Sequence, residues 1–418
     1  MSSAAAVWAI SGLATAGVIL RPFRWPEAVW AVLGAALLGV LGLLPWPSVL
    51  RGVLRGTDVY LFLIGMMLLA DVARREGLFD WLAGFAVRAA RGSAGRLLAL
   101  VYGVGVVVTA FLSNDATAVV LTPAVYAAAR AAGARPMPHL LACAFVANAA
   151  SFILPISNPA NLVVFGEGMP ALGEWLRRFA LPSLLAVGAT YAALWVTQRR
   201  VLAAPIAARV ESVPLRRGGL VAGMGILVTA VVLLAASAGG YDLGLPTLLC
   251  GVATAALVLG ITRQAPWGVL AGVSWGVLPL VAGLFVLVEA LGTTGAVEAL
   301  AGLLRAGLGT PGETAAAAGA VVGVATNLVN NLPAGLLSGA VVEAAGASPV
   351  LAGAILIGVD LGPNLSVTGS LATILWLVAI RREGLDFGTW AFLRLGLVVM
   401  PPALVLALAG LVLGAGWH

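Results

Sequence analysis

Lysine does not occur in the 418 residues, and cysteine and histidine occur only twice each. Without lysine the chain cannot form the GxxxxGK[ST] phosphate loop of an ATPase. Cys143 and Cys250 both lie inside apolar runs, and no CxxC or Cys/His ligand spacing occurs. A disulfide framework and a metal site are therefore not expected, and no cofactor is implied. His139 stands near a helix start and His418 at the C-terminus, and structural or incidental roles suit both. The HExxH signature and paired catalytic acids on one helix are missing as well, which argues against an enzyme. Charge is scarce: Asp, Glu and Arg together make up 10% of the residues. A soluble domain carries roughly a quarter.

What fills the chain instead is apolar. Hydrophobic residues reach 61% and the mean hydropathy is +1.07, so the protein is expected to be dissolved in lipid. All 23 basic residues are arginine, and they sit in short loops between apolar runs. A pI near 10 then reflects membrane orientation and lipid headgroups rather than nucleic-acid binding. Residues 4–20 are apolar, but no basic segment precedes them and no small-residue cleavage site comes after, so no cleavable signal is expected.

A spanning helix needs about 20 apolar residues. On that measure spans fall near 4–20, 26–44, 56–73, 138–166 and 175–197, then near 218–238, 246–262, 267–292, 349–380 and 388–413. Two further apolar stretches, about 95–131 and 312–346, are long enough for two helices but carry a polar tip in the middle. Read as re-entrant hairpins, they leave the count of spans unchanged. With the N-terminus outside, eighteen of the 23 arginines fall on the cytoplasmic side, as the positive-inside rule favours. The expected fold is an all-α membrane protein with ten transmembrane helices in two inverted five-span repeats, each with a re-entrant hairpin and a broken helix. The first repeat covers 1–197, with its hairpin at 95–131 and broken helix at 138–166. A cytoplasmic linker covers 198–217. The second repeat covers 218–418, with its hairpin at 312–346 and broken helix at 349–380. Both termini are then external, or periplasmic for a cell inner membrane. An amphipathic segment precedes each hairpin, at 77–92 and 294–309, and suits a helix lying at the interface. Antiparallel helix pairs with polar turns outside the membrane are the competing reading of the hairpins. Their tips carry Asn and Asp but no Arg, which disfavours it.

The chemistry concentrates at four polar interruptions. Hairpin one has Ser113, Asn114 and Asp115 at its tip, and hairpin two has Asn327, Asn330 and Asn331 with Pro333 just beyond. The first broken helix carries Asn148, Pro155, Ser157, Asn158, Pro159 and Asn161. The second carries Asp360, Pro363, Asn364, Thr368, Ser370 and Thr373. Open backbone and polar side chains are costly at membrane depth unless they line an enclosed cavity or water path, so the four are expected to meet in one substrate site. Asn114 with Asp115 reads as the cap of the return helix, and Asn330 caps the helix that Pro333 enters. Pro155 and Pro363 read as helix ends, with Ser157, Asn158 and Ser370 capping the second arms of the broken helices. Two roles stay open for each acid. Asp115 either carries a proton or cation coupled to transport, or only favours the positive end of its helix. Asp360 either shares that coupling or partners Asn364 and the open backbone.

At these same residues the sequence resembles the arsenite-efflux permease family (ArsB) of the ion transporter superfamily. The stretches that carry the resemblance are 113–123, 147–166, 327–336 and 358–376, the last being the most specific, and it extends over essentially the whole chain. Sodium-coupled dicarboxylate transporters of the superfamily have Ser-Asn-Thr at both hairpin tips. Here the tips read Ser113-Asn114-Asp115 and Asn330-Asn331-Leu332, which weakens that reading. The resemblance implies ten spans with two hairpins, and export of arsenite and antimonite as neutral trihydroxides in exchange for protons. Some relatives also dock a soluble arsenite-stimulated ATPase. The alternative is a sodium/proton antiporter or cation-coupled anion carrier of the same superfamily.

Overall fold

The computed structural model describes residues 3–207, 214–307 and 309–415. Arg209, one of the arginines expected on the cytoplasmic side, and His418 lie outside the described residues. All described secondary structure is helical apart from one isolated bridge between Ser93 and Pro205. The first half runs α1 (Ser3–Leu20), α2 (Glu27–Val40), α3 (Trp46–Arg55), α4 (Thr57–Arg75), α5 (Leu78–Ala90) and α6 (Ala94–Phe111). A short turn α7 (Asn114–Ala116), a wider π turn over Thr117–Leu121 and α8 (Thr122–Ala131) return the chain. Then come α9 (Pro136–Ala149), α10 (Pro159–Phe165) and the long α11 (Leu172–Leu202). The second half repeats the order with α12 (Arg217–Ala238), α13 (Gly244–Thr262), α14 (Trp267–Gly272), α15 (Val277–Gly292), α16 (Ala296–Ala306), α17 (Pro311–Val329), α18 (Asn331–Ala345), α19 (Pro349–Leu361), α20 (Leu371–Arg382) and α21 (Thr389–Ala415).

Among the described residues seven helices are long and apolar enough to cross a membrane: α1, α6, α11, α12, α13, α17 and α21. Two bent pairs qualify when taken together, α3 with α4 at 42° and α15 with α16 at 74°. The stretch read as one span at 267–292 is interrupted, because α14 ends at Gly272 and α15 starts only at Val277. Leucine and valine face outward along α2, α12 and α13, as a surface in contact with lipid tails requires.

Packing also recurs between the halves. Helix α4 lies along α13, and its second-half counterpart α15 lies along α2, while α11 and α21 pack against each other. Glycines with left-handed backbone, Gly77 at φ 76° and Gly295 at φ 80°, turn the chain sharply into α5 and α16. Those two helices then rest on α6 and α8, and on α18.

The arms of the broken helices are held at close range by small residues. Helix α17 approaches α19 where a Cβ on Gly358 would stand 2.3 Å from the Gly319 carbonyl. Backbone on both sides leaves no flexible neighbour to yield, so overpacking there costs about 1–3 kcal/mol or more. Gly358→Val is expected to lower the unfolding temperature of the detergent-solubilised protein. Gly103→Ala, which meets open space, should leave it almost unchanged.

Candidate substrate site at the two helix breaks

Each hairpin and each broken helix opens its backbone, and side chains close most of the opened groups again. At hairpin one the cap is Ser113, whose Oγ accepts from the Ala116 amide at 3.2 Å. Asn114, read from sequence as the cap, is instead the first helical residue, and its Oδ1 accepts from the Asp115 amide at 2.9 Å. The reason is backbone position: Ser113 is the last extended residue, so only its side chain reaches back to the first turn. Thr117 and Thr109 link the two arms at 2.8 Å through their hydroxyls.

In the first broken helix, α9 stops at Ala149, well before Pro155. Pro155 instead starts a single 3₁₀ turn ending at Ser157. The amide of Asn161 covers that irregular stretch by donating to the carbonyls of Ser151, Leu154 and Pro155 at 2.9–3.2 Å. Ser157 Oγ donates to the Ala110 carbonyl of hairpin one at 3.1 Å. Asn158 caps α10 by accepting from the Ala160 amide at 3.1 Å.

The second break is closed in the same manner. Helix α19 ends at Leu361, and Pro363 sits inside a 3₁₀ turn rather than at the α-helix end. Asn327 of α17 donates to the Gly362 carbonyl at 3.1 Å, and its Oδ1 accepts from Ser366 Oγ at 2.8 Å. Asn330 holds left-handed backbone at φ 72°, donates to the Thr368 carbonyl at 3.1 Å and caps α18 through the Leu332 amide. Ser370 caps α20 by accepting from the Thr373 amide, and the two hydroxyls meet at 2.7 Å.

Four hydrogen bonds then join the breaks. Asn158 Nδ2 donates to Asp360 Oδ1 at 2.7 Å. Asn148 Nδ2 donates to Asn364 Oδ1 at 3.1 Å, and Asn148 Oδ1 accepts from Ser370 Oγ at 3.1 Å. Asn364 also donates to the Phe145 carbonyl. The second arms cross over: α10 packs on α18 of hairpin two, and α20 packs on α7 and the π turn of hairpin one.

This leaves a short set of unspent polar groups. Asp360 is 0% exposed, and its Oδ2 has no hydrogen-bond partner. Among the described residues neither the Asn331 amide nor the Asp115 carboxylate makes a hydrogen bond or ion pair, and Asn114 has only its Oδ1 engaged. Asn161 keeps a free Oδ1, but its amide is committed to backbone, so its place in the site is structural. Among the described residues no arginine is paired to either acid.

Sequence reasoning missed Ser366, Thr109 and Thr117, whose hydroxyls sit in these networks, and it missed the loop after α1. There a narrow space of about 20 Å³ opens between the hairpin-two tip and α20, lined by Arg21, Glu27, Asn330, Leu332 and Leu371. Arg21 and Glu27 form an ion pair, with Arg21 in left-handed backbone at φ 47°. The two prolines between these charges, Pro22 and Pro26, are the only signal in the sequence that this loop is rigid.

Apolar helices around two broken members, joined at a buried polar centre, define a membrane transporter. The chain belongs to the citrate transporter family (CitMHS), whose sequence pattern matches residues 15–362. It is 27% identical over 397 residues to the arsenical pump membrane protein of Yersinia enterocolitica, and 28% identical over 401 residues to that of Escherichia coli. Both alignments cover 90% of each chain. An uncharacterized transporter of Mycobacterium tuberculosis is 29% identical over 371 residues, or 84% of each chain. The fold is similar to the YdaH transporter of Alcanivorax borkumensis, with TM-score 0.60, 18% identity and 88% of each chain covered.

The spent and unspent groups separate two kinds of substitution. Asn161→Leu strands three backbone carbonyls and is expected to destabilise the protein by about 1–3 kcal/mol, read as a lowered unfolding temperature. Asn331→Ala breaks no hydrogen bond, so it should keep that temperature while lowering transport. Equal stability loss in both variants would contradict the division.

Proposed function

We propose that this chain is a secondary transporter that exports arsenite and antimonite as neutral trihydroxides in exchange for protons. The observation that carries the reading is the character of the unspent groups at the centre: amides and two carboxylates, with no cationic side chain among the candidate residues. A neutral trihydroxide offers three donors and several acceptors, which amides and acids match. Asp360 holds one oxygen on Asn158 and keeps the other free, and Asp115 is unengaged. A carboxylate there accepts from a solute hydroxyl; once protonated it loses that acceptor. Solute and proton then compete for the same oxygen, which is the basis of exchange. The relatives named arsenical pump membrane proteins, aligned over nine-tenths of the chain, supply the choice of metalloid.

The recurring element order and the reciprocal pairing of α4 with α13 and α15 with α2 support two repeats of opposite orientation. Alternating access would then move the hairpins, with α5 and α16 as their arms, against the remaining helices. The arginine distribution favours external termini and a cytoplasmic linker. The family's description as citrate transporters favours a second reading, a cation-coupled carboxylate carrier. A tricarboxylate calls for arginine or a bound cation in its site, and the candidate residues supply no arginine.

Everted membrane vesicles test the proposal. An imposed proton gradient should drive arsenite uptake, and Asp115→Asn and Asp360→Asn should each bring it near background while the protein stays folded. Arsenite flux indifferent to the gradient, or sodium-driven carboxylate uptake in its place, would overturn it.

A further inference from the structure

Two charged residues stand against the tip of hairpin two. Arg21 and Glu27 pair across the loop between α1 and α2, and they line the same narrow space as Asn330, Leu332 and Leu371. The rest of its lining is apolar. This space adjoins the polar centre on both sides. The unspent Asn331 lies between Asn330 and Leu332, and Ser370, bonded to Asn148, directly precedes Leu371. At about 20 Å³ it has room for about one water, so a solute on this route passes only once the hairpin or the loop moves.

The loop is built to hold the pair. Pro22 and Pro26 bracket it, and Arg21 and Phe23 both take left-handed backbone, at φ 47° and 61°. Such backbone is costly for residues with side chains and persists only where the surroundings fix it. Glu27 is the first residue of α2, where the helix dipole favours its negative charge. The side chains are only 27% and 21% exposed, so an uncancelled charge on either would act more strongly than in water. Arg21 Nε is buried without a hydrogen-bond partner, and among the described residues Glu27 is the only acid paired to this guanidinium. Membrane orientation accounts for an arginine at this end of α1. It does not call for an acid that cancels it.

We propose that Glu27 is a specificity-determining residue: by cancelling the charge of Arg21 beside the hairpin-two tip, it keeps small oxyanions off the solute path. The inference rests on the neutral-solute reading given above. A neutral trihydroxide and a phosphate ion are similar in size and in their oxygen surface, so charge is the property that separates them. A bare guanidinium between apolar walls would draw in the anion, because its planar fork matches a tetrahedral oxyanion. Paired with Glu27 it carries no net charge to offer, and a neutral solute loses nothing by that.

Orthophosphate binding by the purified full chain tests this without arsenite, read as the shift in unfolding temperature relative to chloride at matched ionic strength. Glu27→Gln should bind orthophosphate at least tenfold more tightly than the wild type, since the anion then meets an unpaired charged donor. Glu27→Ser, which removes the same charge with a smaller side chain, should show the same gain. Adding Arg21→Gln to either variant should return binding to the wild-type level. No gain in either single variant, or a gain that survives the loss of Arg21, would overturn the proposal. A pair that only braces the loop would lower the unfolding temperature without any gain in phosphate binding, which is also a failure of it. Arsenite uptake by the wild type in everted vesicles decides the neutral-solute reading separately. A phosphate gain without arsenite transport would keep the charge cancellation and remove only the identity of the solute.

Discussion

The bond from Asn158 Nδ2 to Asp360 Oδ1, 2.7 Å long and fully buried, joins residues 202 positions apart and ties one broken helix to the other. An acid in such a place is tolerable only with a donor beside it. Asn158 can be that donor because its own oxygen is occupied in capping α10, which aims the amide nitrogen across to α19. The cap of one break and the acid of the other thus depend on the same side chain.

The same economy runs through the centre. A helix interrupted at membrane depth exposes carbonyls and amides that lipid cannot satisfy. Asn161, Asn327 and Asn330 answer that demand for backbone in their own or the neighbouring segment. Asn148, Asn364 and Ser370 answer one another across the halves. Polar groups in such number look like a large binding surface, yet most of them are already engaged. What remains unengaged is small: Asp115, Asn331, one oxygen of Asp360 and part of Asn114.

In the proposed transport cycle, crossing of the second arms gives this remainder its role. Because α10 rests on hairpin two and α20 on hairpin one, neither hairpin can shift without disturbing the break that belongs to the other half. Small residues make the crossing possible. A Cβ on Gly339 of α18 would stand 2.5 Å from the Val163 carbonyl of α10, so the helices approach to backbone contact. The carboxylates of Asp115 and Asp360 therefore sit where motion of either hairpin would change their surroundings, which the proposed exchange of proton for solute demands.

Much of this could be read from residue order, because it depends on neighbours a few positions apart. Apolar length placed the chain in lipid, and the paired Asn, Ser and Asp interruptions marked the four breaks. Caps at Asn158, Asn330 and Ser370 arise from contacts two or three residues long, which local spacing captures. Where a cap depended on which residue stays extended, as with Ser113 against Asn114, or on where a helix unwinds before a proline, as with Ala149 against Pro155, spacing was not enough. Which amides are consumed by backbone, that Asp360 faces Asn158, and that Arg21 and Glu27 stand beside the hairpin-two tip were decided only by the packing of distant helices. Local propensity acts over a turn; the partner of a buried acid is chosen by whatever the fold brings within about 3 Å of it.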